Sequence, residues 1–120
     1  MKLRNDFSQK TRNLFLDNDK CFVCEFIGWD ALHHAVGRES SSPLNAIPVH
    51  NMRCHFEDAG RLSKLTGVLL RKTTLYLSDI GYKATRDDYD FYVRHKKHYD
   101  KFVRLSVIDD FFKDFTLSPA

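Results

Sequence analysis

Cys21-Phe-Val-Cys24-Glu-Phe-Ile-Gly-Trp-Asp-Ala-Leu-His33-His34-Ala-Val-Gly-Arg38-Glu-Ser-Ser-Ser-Pro-Leu-Asn45-Ala-Ile-Pro-Val-His50-Asn-Met-Arg-Cys54-His55 is the stretch that decides how this chain folds. All three cysteines and four of the six histidines fall inside it. Thiolates and imidazoles are the side chains that bind zinc, and chance scattering does not gather them so tightly. Cys21-x2-Cys24 supplies one half of a metal knuckle, and His50-x3-Cys54 can supply the other. Together the four make a tetrahedral Cys3His site closed by protein ligands. The chain between the halves is long enough for a hairpin. A fully ligated site of this kind adds folding energy rather than catalysis. The alternative is a redox C-x-x-C pair with unrelated histidines nearby, but no thioredoxin-like βαβ pattern surrounds Cys21.

Outward from that stretch, the 120 residues suit one domain, 1–120, with a modest core. Ten Phe, five Tyr and one Trp provide large buried area. A core this small still gains from a staple such as a structural metal. A short helix is expected around Leu14–Leu16, and a strand after the first knuckle, running towards His34. Residues 37–43 are a loop by composition, and Asn45–Val49 is a second short strand. After His50 the pattern turns helical. Leu62, Leu65, Val68, Leu69, Leu75, Leu77 and Ile80 recur partly at helical spacing, and Gly81 is a natural stop. Two or three helices are expected in the C-terminal half, and the Ser118-Pro119-Ala120 end should fray. The fold class is therefore α+β, with the metal core over about residues 20–60 and helices over about 61–116.

The net charge of +3 is unevenly spread. Residues 61–104 carry eleven Lys/Arg against five Asp, whereas residues 21–60 carry two Arg against five acids. A basic second half beside an acidic first half suits an anionic partner held near a metal site. No stretch approaches the roughly 18 apolar residues of a membrane span. The opening residues Met1–Phe7 lack the apolar segment of a signal peptide, so the expectation is a cytoplasmic protein without membrane contact.

A second set, His33-His34, Asn45 and His55, lies between and just after the knuckle halves. In this order of a His pair, a loop, an Asn-x-x-Pro strand and a Cys-His ending, the chain resembles the HNH endonuclease family over about residues 20–60. Here the third zinc position is His50, where zinc-bearing members usually have Cys, and three residues rather than two separate it from Cys54. The resemblance implies a zinc-stapled, treble-clef-like ββα-metal core that hydrolyses DNA with one divalent metal. It implies that His34 is the general base, that His33 and His55 hold the catalytic metal, and that Asn45 shapes the hairpin loop. Imidazole titrates near neutral pH and suits deprotonation of water. Two protein ligands leave positions for water and phosphate oxygens, as Mg2+ prefers, and His ligation also admits Mn2+, Ni2+ or Zn2+. One tension is geometric: neighbours in a regular strand point to opposite faces, so His33 and His34 converge only if the strand ends or twists there.

Arg38, in the Gly-Arg loop, is a candidate phosphate clamp. His95, Lys96, Lys97 and His98, with Tyr92 and Tyr99 beside them, form a basic tract for phosphate contact without sequence readout. A solvated helix face explains the tract equally well. The competing class of function is a non-catalytic treble-clef zinc module that binds nucleic acid or a protein. The Phe-rich residues 101–115 are either core or a homodimer interface. Small size and family habit point to a phage-encoded, mobile-element or bacterial-defence context.

Overall fold

In the computed structural model, which describes residues 7–37, 40–57, 59–99 and 106–116, the architecture is mixed α/β around one small hairpin. Strands β1 (Ala31–His34) and β2 (Ala46–Val49) pair antiparallel, with Ala31 opposite Val49, Leu32 opposite Pro48, His33 opposite Ile47 and His34 opposite Ala46. Proline has no N–H to give a ladder. The Pro48 carbonyl instead accepts from the Phe22 N–H at 2.9 Å, which seats the first knuckle on the hairpin.

All four residues of β2 are buried, because the strand divides two core clusters. Ala46 faces the larger cluster, with Phe7, Phe15, Leu44, Leu70, Leu77, Phe91, Tyr92, Tyr99, Ile108 and Phe112. Ile47 and Val49 face the smaller one, with Cys21, Val23, Cys54, Leu62 and Leu69. The alternation is the two-residue period of a strand.

Seven helices are present among the described residues: α1 (Gln9–Leu14), α2 (Ala59–Lys64), α3 (Thr66–Asp79), α4 (Arg86–Arg94), α5 (Lys96–Tyr99), α6 (Ser106–Phe111) and α7 (Lys113–Thr116). Helix α3 is the backbone of the packing. Leu69, Leu70, Thr73, Thr74 and Leu77 recur at three- and four-residue spacing and are buried. The Thr73 hydroxyl donates to the Ala46 carbonyl at 2.9 Å, tying the helix to β2. Ile80, read from the sequence as part of the apolar face, is instead exposed, and two threonines take the buried positions. The helix ends beside Gly81, whose φ of +81° favours glycine. The remaining helical chain forms two broken stretches, interrupted at His95 and at Phe112. Phe112 and Ile108 are buried within this chain's own core, so the described part of the Phe-rich segment is core.

Between β2 and α2, residues Asn51–Phe56 form one wide π-helical turn rather than an ordinary helix. The His50 carbonyl accepts from both the Cys54 and the His55 N–H at 3.1 Å. No helix among the described residues is long and apolar enough to cross a membrane. Arg38, Lys101, Arg104 and the Ser118-Pro119-Ala120 end lie outside the described residues.

Candidate metal centre

Cys21 and Cys24 are set by a tight turn in which the N–H groups of Val23 and Cys24 point at the Cys21 sulfur, at 3.3 and 3.5 Å. Glu25 closes that turn at φ 64°, unusual for a residue with a side chain, and its N–H reaches the Cys21 carbonyl at 2.9 Å. Lys72 of α3 grips the same turn, with its ammonium 3.0 Å from the Phe22 carbonyl and 3.6 Å from the Glu25 carboxylate. His50 follows β2, and the wide turn delivers Cys54.

The ligand atoms of Cys21, Cys24, His50 and Cys54 all lie within 4.8 Å of one another. The Cys21 and Cys54 sulfurs are 3.6 Å apart, and His50 Nδ1 is 3.4 Å from the Cys24 sulfur and 3.8 Å from that of Cys54. Tetrahedral zinc bond lengths imply edges of about 3.8 Å between sulfurs and about 3.6 Å between sulfur and nitrogen. The four residues form a group that can hold a structural metal ion such as zinc. Among the described residues, it is the one cluster of three or more such side chains whose ligand atoms converge.

The chemistry of the donors fits a cation. His50 Nε2 lies 2.9 Å from the Ile27 carbonyl, which can only accept, so Nε2 carries the hydrogen and Nδ1 turns its lone pair to the sulfurs. That carbonyl also raises the His50 pKa, and the proton it favours on Nδ1 is the one a metal displaces. Burial opposes ionisation of Cys21, but the surrounding backbone N–H groups and the Cys54 thiol outweigh it and bring Cys21 to about 6. Burial and the neighbouring Cys21 and Cys24 push the Cys54 thiol up to about 12. Three thiols this close cannot all ionise without a positive charge among them. Part of that charge comes from Arg53, whose guanidinium is 3.8 Å from the Cys24 sulfur and lies 5.2 Å over the Phe26 ring.

The second set is divided by the strand. His33, paired with Ile47 on the face of the smaller cluster, meets His55 with ring centroids 4.8 Å apart. Its pKa falls to about 4, first through burial and then through the charges that His55 and His34 would carry. A neutral imidazole is the metal-binding form. His55 Nδ1 is 3.3 Å from the Asn51 side-chain oxygen, and the Asn51 N–H donates to the Asp30 carboxylate at 2.7 Å.

His34 pairs with Ala46 and stacks on Phe7, centroids 4.0 Å apart, with 8% of its surface exposed. The structure therefore brings His33 and His55 together and turns the His34 ring to the opposite face.

Asn45 is fully buried. Its oxygen accepts from the Val36 N–H, and its amide donates to the Gly37 and Ser40 carbonyls, all at 2.9 Å. It thus pins both flanks of the segment that carries Arg38. Lys96 and Lys97, neighbours in sequence, line different cavities: Lys96 beside Asp109, and Lys97 beside Arg94 and His98.

Four structural contributors escape a reading by residue type: Phe7, Asn51, Arg53 and Asp88. Asp88 is buried and accepts from Ser42 at 2.7 Å, Tyr82 at 2.6 Å and the Thr85 N–H at 2.9 Å. The Thr85-x-x-Asp88 spacing was its available signal, since the pair forms a capping box on α4. Compared with protein-family models, curated proteins and solved structures, the chain finds no match in any of the three.

Proposed function

We propose that the protein is a metal-dependent DNA endonuclease of HNH type. The observation that carries this reading is the facing His33–His55 pair, which takes no part in the Cys3His group. A purely structural zinc module needs the four-ligand group and nothing more. A facing imidazole pair outside that group, one member held neutral by burial and the other oriented by Asn51, offers the donor set of an open metal site.

In this reading Cys21, Cys24, His50 and Cys54 hold a structural zinc. The order of knuckle, hairpin, turn and α2 is then a zinc-stapled, treble-clef-like ββα core. A divalent metal such as Mg2+ or Mn2+ at His33 and His55 supplies Lewis-acid stabilisation of charge on a bound phosphate. His34, next in the chain to His33, takes the proton from the attacking water. Asn45 holds the loop in shape, and Arg38 clamps a backbone phosphate.

Plasmid cleavage with Mg2+ or Mn2+, and with a chelator as control, tests the reading. His34→Ala should keep fold and DNA affinity and lose about 10^2 to 10^4 in rate, the usual worth of a general base. His33→Ala and His55→Ala should lose cleavage through weaker metal binding, with partial rescue by excess Mn2+. Cutting by His34→Ala at the wild-type rate would remove His34 from the mechanism.

One observation favours a second reading, a non-catalytic zinc module that binds nucleic acid. Phe7 covers one face of the His34 ring, and the ring turns away from the His33–His55 pair. A wild type that cuts no DNA with any divalent metal, yet binds it, would establish that alternative.

A further inference from the structure

A cavity of about 410 Å³ opens where β1 ends. It is lined by Ala35 and Val36, the two residues after His34, by Thr66 at the start of α3, and by Arg94, His95, Lys97 and His98 across the break between α4 and α5. Among the described residues, no carboxylate lines it. Four other cavities each hold acids as well as cations: Lys96 with Asp109, Lys72 with Glu25 and Asp79, Lys113 with Asp110 and Asp114, and Lys10 with Asp87, Asp88 and Asp90, where Arg94, shared between two cavities, also lies. An anion entering those meets charge of both signs. In the cavity beside β1 the charges it meets among the described residues are those of Arg94 and Lys97, and these add to attraction where low-dielectric walls focus the field.

The geometry points to this cavity as a seat for a phosphate of the DNA backbone, formed by Arg94, Lys97 and His98, one residue beyond the end of β1. The proposal rests on DNA being the partner and is independent of whether His34 acts as a base. Lys96 and Lys97 open α5 together after the break at His95, and neighbouring positions of a helix do not face the same way, so they line different cavities: Lys97 with Arg94, Ala35 and Val36, and Lys96 with Asp109. A guanidinium offers paired donors to phosphate oxygens, and the ammonium adds a point charge. Contacts of this kind set position along a duplex and carry no base readout. A phosphate held here fixes the strand beside β1, on which His33 and His34 stand.

Duplex binding, followed by fluorescence anisotropy across a salt series without added Mg2+ or Mn2+, tests the seat in the full chain. Arg94, Lys96 and Lys97 are all exposed, so their variants keep the fold. Lys97→Ala and Arg94→Ala should each reduce the log–log salt slope by about 1, whatever the DNA sequence. Lys96→Ala should leave the slope as it is. Equal effects from Lys96→Ala and Lys97→Ala would replace the seat with a diffuse basic face. An unchanged slope in Arg94→Ala and Lys97→Ala, in a protein that still cuts plasmid, would overturn the seat and leave the nuclease proposal standing. The expected slopes in a protein that cuts nothing would do the reverse, and a wild type that does not bind DNA overturns both.

Discussion

Asn45 shows how one side chain can organise a site without touching its chemistry. Its three 2.9 Å hydrogen bonds satisfy backbone groups of Val36, Gly37 and Ser40 from a fully buried position. Removing it strands those groups, at about 1–3 kcal/mol for each one that water cannot reach. Asn45→Ala should therefore lower stability by about 2–3 kcal/mol, read as a denaturant midpoint shift with unchanged slope. Asn45→Asp should cost more, because a carboxylate would face two carbonyls. If the aspartate proves the milder variant, the amide's donors are not what holds the loop. Individual ligands were legible in the sequence because metal chemistry restricts residue type: Cys21, Cys24, His50 and Cys54 announce themselves by spacing. The orientation of His34 was not. Adjacent positions in a strand face opposite ways, and which face carries which partner depends on Phe7, a residue distant in sequence with no chemical signature.

At the scale of elements, α4 is held by its first turn. Thr85 caps the helix through the Asp88 N–H at 3.2 Å, and Asp88 returns the contact while anchoring Ser42 and Tyr82. Thr85→Ala should cost about 1 kcal/mol, the ordinary worth of an N-cap. Asp88→Ala should cost roughly 3 kcal/mol, since it also removes the acceptor of the Ser42 and Tyr82 hydroxyl hydrogens. Equal losses in thermal or chemical unfolding would mean that Asp88 serves the cap alone. The hairpin and α3 could be read from periodicity. The π-helical turn at Asn51–Phe56 could not, because its wide hydrogen bonding answers to the positions Cys54 and His55 must reach rather than to local propensity. The break at His95, which ends α4 before Lys96 and Lys97 open α5, likewise has no marker in the residue pattern.

For the molecule as a whole, the smaller core cluster is built partly from the group that can hold a metal, Cys21 and Cys54 among them. Chelation, or Cys24→Ser, should lower stability by several kcal/mol, on the scale of structural zinc sites. A melting temperature unmoved by chelator would show that apolar packing suffices there. The larger cluster responds to alkali instead. Burial raises the Tyr99 pKa against the opposing hydrogen bond from Thr74, with smaller help from Tyr92 and Asp88, and burial with the Asp88 hydrogen bond raises that of Tyr82. Both phenols are thus held neutral. Their contribution is fully present below the ordinary tyrosine value of 10.0 and is lost as pH rises above it. The share of phenolate absorbance that Tyr82→Phe and Tyr99→Phe remove should consequently rise together with the loss of helical circular dichroism, and a share that develops well before unfolding would contradict this. If the His33–His55 pair takes the proposed divalent metal, the wide turn also makes that site and the cysteine group mutually dependent. Cys54 and His55 share one stretch of backbone, so an ion that fixes the first fixes the placement of the second. Occupancy at the cysteine group then changes Mn2+ affinity at the histidine pair by some factor, and reciprocity demands the same factor in the other direction. The turn acts as a coincidence detector: a chain starved of zinc should lose its response to Mn2+ before it loses its helices.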